Sequence, residues 1–167
     1  MKEKLYNITN KLLTVLLILS IIFFIISKVF GFSRVSGSSM YPTYEDKEFI
    51  ICNRFLNTKN YNRGDVIIFY SGTKYISDVY IKRIVAIPGD ELYIANGYLY
   101  VNGEKQETVL PLMKSSGNAH ETIKLQEDEF FVLGDNRNNS KDSRIIGPVK
   151  SDKIIGRVIH QREPKKM

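Results

Sequence analysis

A chain of 167 residues carries 24 lysines and arginines against 18 acids, a net charge of +6, with 43% hydrophobic residues and one cysteine, Cys52. That length suits one compact domain plus an anchor rather than two full domains, and a lone cysteine excludes an intramolecular disulfide and a cysteine-based metal site. The basic residues are scattered among acids with no recognition helix or aromatic ladder, which argues against specific nucleic-acid binding and leaves the charge for an anionic membrane surface or for plain solvation.

The first element is apolar. From Leu12 to Ser27 runs an uncharged stretch of Leu, Ile and Phe, roughly 24 Å as a helix and short of the ~30 Å hydrocarbon core. With Lys28 snorkelling and Val29, Phe30 and Phe32 counted, a single transmembrane helix over 12–32 is predicted. A short N-terminal segment, 1–11, then precedes it, and a β-rich domain, 33–167, follows. A cleaved secretory leader is the competing reading, and Lys2, Lys4 and Lys11 would suit it. The stretch Ser27-Lys28-Val29-Phe30-Gly31-Phe32 offers no small-x-small cleavage site, so a retained anchor is favoured. Lysines lie before the span and Lys28 and Arg34 after it, so charge leaves the orientation open.

Beyond the anchor come short β-branched and aromatic runs broken by turn residues. Strands are predicted at 48–52, 65–70, 79–87, 91–94, 98–101, 129–133 and 154–160. Ala95-Asn96-Gly97 and Val101-Asn102-Gly103 mark hairpin turns. No sustained helical period follows residue 35. The fold class is therefore all-β, a folded-over or barrel-like antiparallel sheet domain behind one N-terminal transmembrane helix. Leu110 to Leu125 is the least regular stretch and reads as a surface excursion, and Cys52, in Phe49-Ile50-Ile51-Cys52, reads as a buried small hydrophobe.

Three polar features carry chemistry. Ser39 sits in Gly37-Ser38-Ser39-Met40-Tyr41-Pro42-Thr43, where small residues let a substrate backbone approach and glycine can aim amides at an oxyanion. Alone, the segment reads as a Ser/Gly linker. Lys82 lies in the apolar strand 79–87 and by alternation shares a face with Tyr80, Ile84 and Ala86. A buried amine there loses charge and can serve as a general base for a serine; an edge lysine in solvent is the equal alternative. Third, Gly134 to Arg144 is a run of short polar and charged residues directly after a strand. In it Ser140 could orient the lysine and Asp135, Asp142 and Arg144 could form ion pairs. Calcium-loop spacing is absent. His120 and His160 lie in no motif and read as surface residues.

These segments, in this order, resemble the bacterial type I signal peptidases. The chain has Ser39-Met40-Tyr41-Pro42-Thr43, Arg63-Gly64-Asp65-Val66, Lys82-Arg83 through Pro88-Gly89-Asp90, and the box from Gly134 to Arg144. The short stretch from Pro88 to Gly134 resembles the small Gram-positive form, and a lysine base argues against the endoplasmic-reticulum branch. The resemblance implies a single-pass protein of the cell membrane with its catalytic domain on the extracytoplasmic side. It implies a serine endopeptidase that removes signal peptides from secretory preproteins after small residues, commonly Ala-x-Ala. Ser39 then looks like the nucleophile, Lys82 like the general base and Ser140 like the residue that hydrogen-bonds that lysine. Asp142 with Arg144, and Asp135 with Arg83, look like supporting pairs. Gly37, Ser38 and Met40 fall at the oxyanion site and substrate groove. Some members place a serine where this chain has Gly37, so backbone amides, including that of Ser39, carry the oxyanion here. The implied partners are signal peptides, the lipid bilayer and, as a further one, the secretion translocon; no cofactor, metal or nucleic acid is implied. A membrane-tethered β binding module without activity and a self-cleaving serine/lysine protease are the rival readings.

Overall fold

The computed structural model describes residues 2–55, 61–72 and 78–164. Its N-terminal helix, α1, runs Lys2–Val29 and passes without a break into a strand, β1, Phe30–Arg34. The helix therefore differs from the predicted 12–32 span at both ends. It begins ten residues earlier and stops before Phe30, because Phe30 to Arg34 hydrogen-bond in antiparallel register with 49–53. No described residue of the protein covers the helix. At 1.5 Å per residue its 28 residues reach about 42 Å, long and apolar enough to cross a membrane.

The rest is two antiparallel sheets. The larger is built from β1, β2 (Phe49–Asn53), β3 (Val66–Tyr70), β4 (Val79–Ala86), β9 (Glu129–Leu133), β10 (Val149–Lys150) and β11 (Ile154–Val158). Its order is β1-β2-β11-β3-β4-β9-β10. The smaller sheet has β5 (Glu91–Ala95), β6 (Tyr98–Val101), β7 (Glu104–Lys105) and β8 (Ile123–Lys124), in the order β7-β6-β5-β8. Antiparallel β architecture with an N-terminal apolar helix is the class the sequence predicts. Among the described residues, helix is otherwise confined to one four-residue turn, α2 (Ser143–Ile146), and two 3₁₀ turns, Gly117–His120 and Ser151–Lys153.

Local chemistry explains the hairpins. Asn96 and Gly97 both take positive φ, 51° and 79°, as do Asn102 and Gly103, at 54° and 81°. Two consecutive left-handed residues match the twist of the flanking strands, and Asn-Gly is the pair that adopts them most readily.

β3 is central and apolar on both faces. Val66 and Ile68 point into a cluster with Val35, Met40, Tyr44, Ile50, Cys52 and Val158. Ile67 and Phe69 point into another with Ile84, Phe130 and Val132. Cys52 is a buried free thiol in the first. The small sheet buries Leu92, Ile94, Leu99 and Val101 against Ala86, Phe131 and Leu133 of the large one. Leu110 to Leu125 is corrected here from a surface excursion to part of that core. Met113, Ala119 and Leu125 belong to the same cluster, and Leu110 is buried as well. Its apolar residues are spaced too irregularly to declare a face.

Candidate active site

The serine turn is held from three sides. Within it, the Tyr41 amide donates to Ser38 O and the Thr43 amide to Met40 O. Met40 is fully buried in the core beneath. From the other side the polar loop grips it. The Asn136 amide donates to Ser39 O at 3.0 Å, Asn136 Nδ2 to Ser38 O at 3.1 Å, and Asn139 Nδ2 to Ser38 Oγ at 3.0 Å. Gly134 makes the approach possible, since a Cβ there would lie 2.6 Å from Ser39 O and 2.2 Å from Ser140 Oγ. Any side chain at 134 would push the loop off the turn.

Lys82 reaches this turn from β4. Its side chain is 3% exposed, and Nζ donates to Ser39 Oγ at 2.7 Å and to Ile81 O at 2.8 Å. The ring centroid of Tyr80 is 5.3 Å away. Burial lowers the amine from the usual 10.5 to about 8, against the opposing pull of Asp142 and Asp135. The edge-lysine alternative is thereby removed for this side chain. The alternation behind the expectation holds only in part. Tyr80 and Ile84 pack in one cluster, while Ala86 joins the small-sheet core. A register shift between Ile84 and Ala86, where β4 meets β9, flips the face.

Two buried ion pairs stand behind the lysine. Arg83 Nε and Nη2 donate to both oxygens of Asp135, at 2.9 and 2.7 Å, and Thr43 Oγ1 donates to Asp135 Oδ2 at 2.6 Å. Arg144 Nε and Nη2 donate to both oxygens of Asp142, at 2.9 and 2.8 Å, and the Gly134 amide donates to Asp142 Oδ2 at 3.0 Å. Burial pushes the Asp142 carboxyl up, but the Arg144 and Gly134 hydrogen bonds outweigh it and hold the group below its ordinary value. Forked Arg–carboxylate bonding fixes both the distance and the plane of each pair.

Ser140 does not do what was expected of it. No hydrogen bond joins it to Lys82, whose partners are Ser39 Oγ and Ile81 O. Its Oγ is sealed from solvent without a well-aligned partner, wedged against Gly134, and its influence falls on the Asp142 carboxyl. Gly37 also departs from a simple oxyanion role. It has φ 86°, but its amide donates to Asp46 Oδ1 at 2.8 Å. The amides of Ser38, Ser39 and Met40 donate to no group among the described residues; Met40 is fully buried, so only those of Ser38 and Ser39 are open to a further acceptor. Sequence reasoning missed Thr43, Asn136 and Asn139 as positioning residues. Their signal was present, since Thr43 closes the serine box and both asparagines lie in the polar run. It also missed the bond from Arg63 Nε to Asp90 Oδ2, at 2.9 Å. His120 and His160 are exposed, and neither lines the cleft beside Ser39 and Lys82.

Beside the two catalytic candidates opens a cleft of about 370 Å³. Val35, Ile50, Ile68, Val79 and Ile81 line it, with Ser39 and Lys82 at one wall. A buried amine on a serine hydroxyl, free amides next to it and a cleft alongside that mixes these aliphatic side chains with Ser33, Arg34, Ser36 and Lys141 suit acyl transfer from a peptide.

Comparison of the sequence with known proteins gives a family. Residues 8–161 match the family model described as "Signal peptidase, peptidase S26". "Signal peptidase I P" of Bacillus subtilis subsp. natto is 32% identical over 167 residues, covering 93% of this chain and 89% of that protein. "Signal peptidase IB" of Staphylococcus aureus (strain Mu50 / ATCC 700699) is 33% identical over 142 residues, covering 74% of this chain and 73% of that protein. A crystal structure of a signal peptidase I from Enterococcus faecalis V583 is 24% identical with a TM-score of 0.46, over 59% of this chain and 96% of that one.

Proposed function

The chain belongs to the signal peptidase family, peptidase S26, and on that premise we propose that it removes signal peptides from secretory preproteins by a Ser39–Lys82 dyad. The single observation that supports this most is the 2.7 Å contact between Lys82 Nζ and Ser39 Oγ, made by an amine whose value falls to about 8. Relative to an ordinary lysine, that shift raises the neutral fraction near neutrality by about a hundredfold or more. In the neutral amine one N–H stays on Ile81 O, and the lone pair accepts the Ser39 hydroxyl proton along the same short line.

Ser39 Oγ then attacks the peptide carbonyl, while free amides of the turn receive the developing oxyanion. Collapse breaks the C–N bond, and Lys82 returns the proton to the leaving amine of the mature chain. The signal peptide remains as an ester on Ser39. Lys82 next takes a proton from water, the hydroxide equivalent attacks the ester, and Ser39 recovers its proton as the signal peptide leaves with a carboxylate. Arg83–Asp135 and Arg144–Asp142 serve as positioning pairs, with Ser140 acting through Asp142. Cleavage after small residues of the Ala-x-Ala kind belongs to this reading, with the cleft beside Ser39 as the binding surface.

The same reading makes α1 a transmembrane anchor, single-pass, with the β domain outside the cytoplasm; the bilayer and the secretion translocon are its neighbours. Support comes from the ribbon that α1 feeds. Phe32 and Ile51 sit opposite one another, as do Arg34 and Phe49, on one face of β1–β2. Phe32 and Phe49 are 76% and 77% exposed, and Phe55 just beyond is 82% exposed. An outward aromatic face continuous with the helix suits immersion at the lipid interface. Family membership sets aside a β module without activity. A self-cleaving protease is separated by the substrate: incubation in detergent with a preprotein, followed by sequencing of the new N-terminus, should place the cut after a small residue. Retention of cleavage by Ser39→Ala would overturn the dyad.

A further inference from the structure

The two ion pairs leave one cation over. Arg137 lies in the same loop, 7% exposed, and none of the described residues accepts a hydrogen bond from its guanidinium or pairs with it as an ion. Its Nε is sealed from solvent without a partner. Three buried guanidiniums, of Arg83, Arg137 and Arg144, therefore face two buried carboxylates, of Asp135 and Asp142. A buried charge lacking an acceptor is among the costliest features a fold can carry. The strain registers on the group: burial drives the Arg137 guanidinium below its ordinary value, Arg144 and Arg83 push it the same way, and Asp135 and Asp142 only oppose this.

Arg137 forms a shared wall between two cavities. One, of about 200 Å³, also carries the carboxylates of Glu107 and Glu163. The other, of about 190 Å³, is lined by Lys114, Ser115, Asn138, Ser140 and Arg144 beside Arg137, with Ile145 closing it, and no carboxylate lines it. Arg144 is already bonded to Asp142, Ser115 O and Arg137 O, so it supplies field rather than free donors. Lys114 is exposed at the rim and makes no ion pair among the described residues. One buried guanidinium without an acceptor, one free rim cation and the Ser115 hydroxyl at the wall are the elements of an oxyanion receptor; Asn138 only shapes the wall, since its Nδ2 donates to Leu112 O and its Oδ1 accepts from the Lys114 amide.

We propose that this second cavity is a binding site for a small oxyanion, with Arg137 as the buried donor and Lys114 as the outer cation. The site shares no lining residue with the serine cleft and does not depend on the peptidase reading. Inorganic phosphate is the probe. The full chain in detergent is titrated with phosphate at constant ionic strength, balanced with sodium chloride, and followed by thermal melting and by calorimetry. Wild type should show a saturable rise in melting temperature. Arg137→Met should weaken phosphate binding about tenfold or more and Lys114→Met severalfold, while Lys124→Met, on the small sheet, should leave it unchanged. No saturable effect beyond that of chloride, or the same affinity in Arg137→Met as in wild type, overturns the site and leaves water as its only content. If Arg137→Met does not fold, Lys114→Glu decides: loss of phosphate binding supports the site and unaltered binding overturns it.

Discussion

The loop end of the large sheet and the small sheet are built on opposite principles. At the loop end, Lys82, Arg83, Asp135, Arg137, Asp142 and Arg144 are all buried, and geometry comes from forked ion pairs and backbone hydrogen bonds. In the small sheet the interior is Leu92, Ile94, Leu99 and Val101 packed on Ala86, Phe131 and Leu133. Its charges, such as Lys124 with Glu91, sit outside in water. Hydrophobic packing specifies volume and tolerates small shifts, whereas a buried charge network tolerates none without losing a partner. The difference places precision around the 2.7 Å contact between Lys82 Nζ and Ser39 Oγ, the line along which the proposed mechanism moves a proton.

The sharpest way to break that contrast is to remove the reacting groups themselves. Ser39→Ala and Lys82→Met should each lower cleavage of a preprotein by about a thousandfold or more. The melting temperature should stay within a few degrees, since neither side chain holds the fold together. Loss of folding in Lys82→Met would mean that the amine is structural. Asp142→Asn comes next. It strands Arg144 at 6% exposure and removes the acceptor of the Gly134 amide, so chemical denaturation should show a loss of about 3–5 kcal/mol. A loss under about 1 kcal/mol would show that the network is ornamental. Leu92→Ala in the small sheet should cost a comparable or smaller 2–5 kcal/mol, about, yet leave the turnover of each folded molecule near that of wild type. A large fall in kcat there would join the two regions that the structure separates.

How far residues announce their place follows the same division. The strands 98–101 and 129–133 match their predicted bounds to the residue, because alternation and turn chemistry are local. β1 was hidden, since Phe30 and Phe32 extend the apolar run of α1 and only pairing with β2 makes them a strand. The face of Ala86 was lost to a register shift that depends on β9, and the burial of Met113 and Ala119 depends on the sheet beneath them. In the site, Ser39 and Lys82 are legible from box spacing and an apolar strand. The missing Ser140–Lys82 bond, the Gly37 amide spent on Asp46 and an Arg137 without a partner among the described residues are not. Each is a matter of angstroms between segments far apart in the chain, which no one-dimensional pattern carries.

The pH profile measures the contrast through Lys82. In the proposed mechanism the reactive form is the neutral amine, so kcat/KM should climb about tenfold per pH unit on the acid side and level off above about 8, the value to which burial lowers the group. Asp142 acts on the amine in the opposite sense to burial. Removing its charge in Asp142→Asn, assayed under conditions where that variant is folded, should therefore move the acid limb to lower pH. A limb that stays in place would mean that Asp142 affects position alone.

The smallest expected effect is at the surface of the small sheet. Lys124 Nζ lies 3.1 Å from Glu91 Oε1, with side chains 69% and 52% exposed. Water screens such a pair, and ordering two long side chains offsets most of what remains. Lys124→Ala should accordingly shift the melting temperature by no more than about a degree and leave cleavage unchanged. The distance from Lys124 to Glu91 is close to that from Arg144 to Asp142, 2.8 Å, and both join opposite charges, though the second is forked. If Lys124→Ala cost as much as Asp142→Asn, proximity of opposite charges would be the operative variable, and burial would not. A near-silent Lys124→Ala beside a damaging Asp142→Asn assigns the difference to desolvation, the same physical cause that discharges Lys82 next to Ser39.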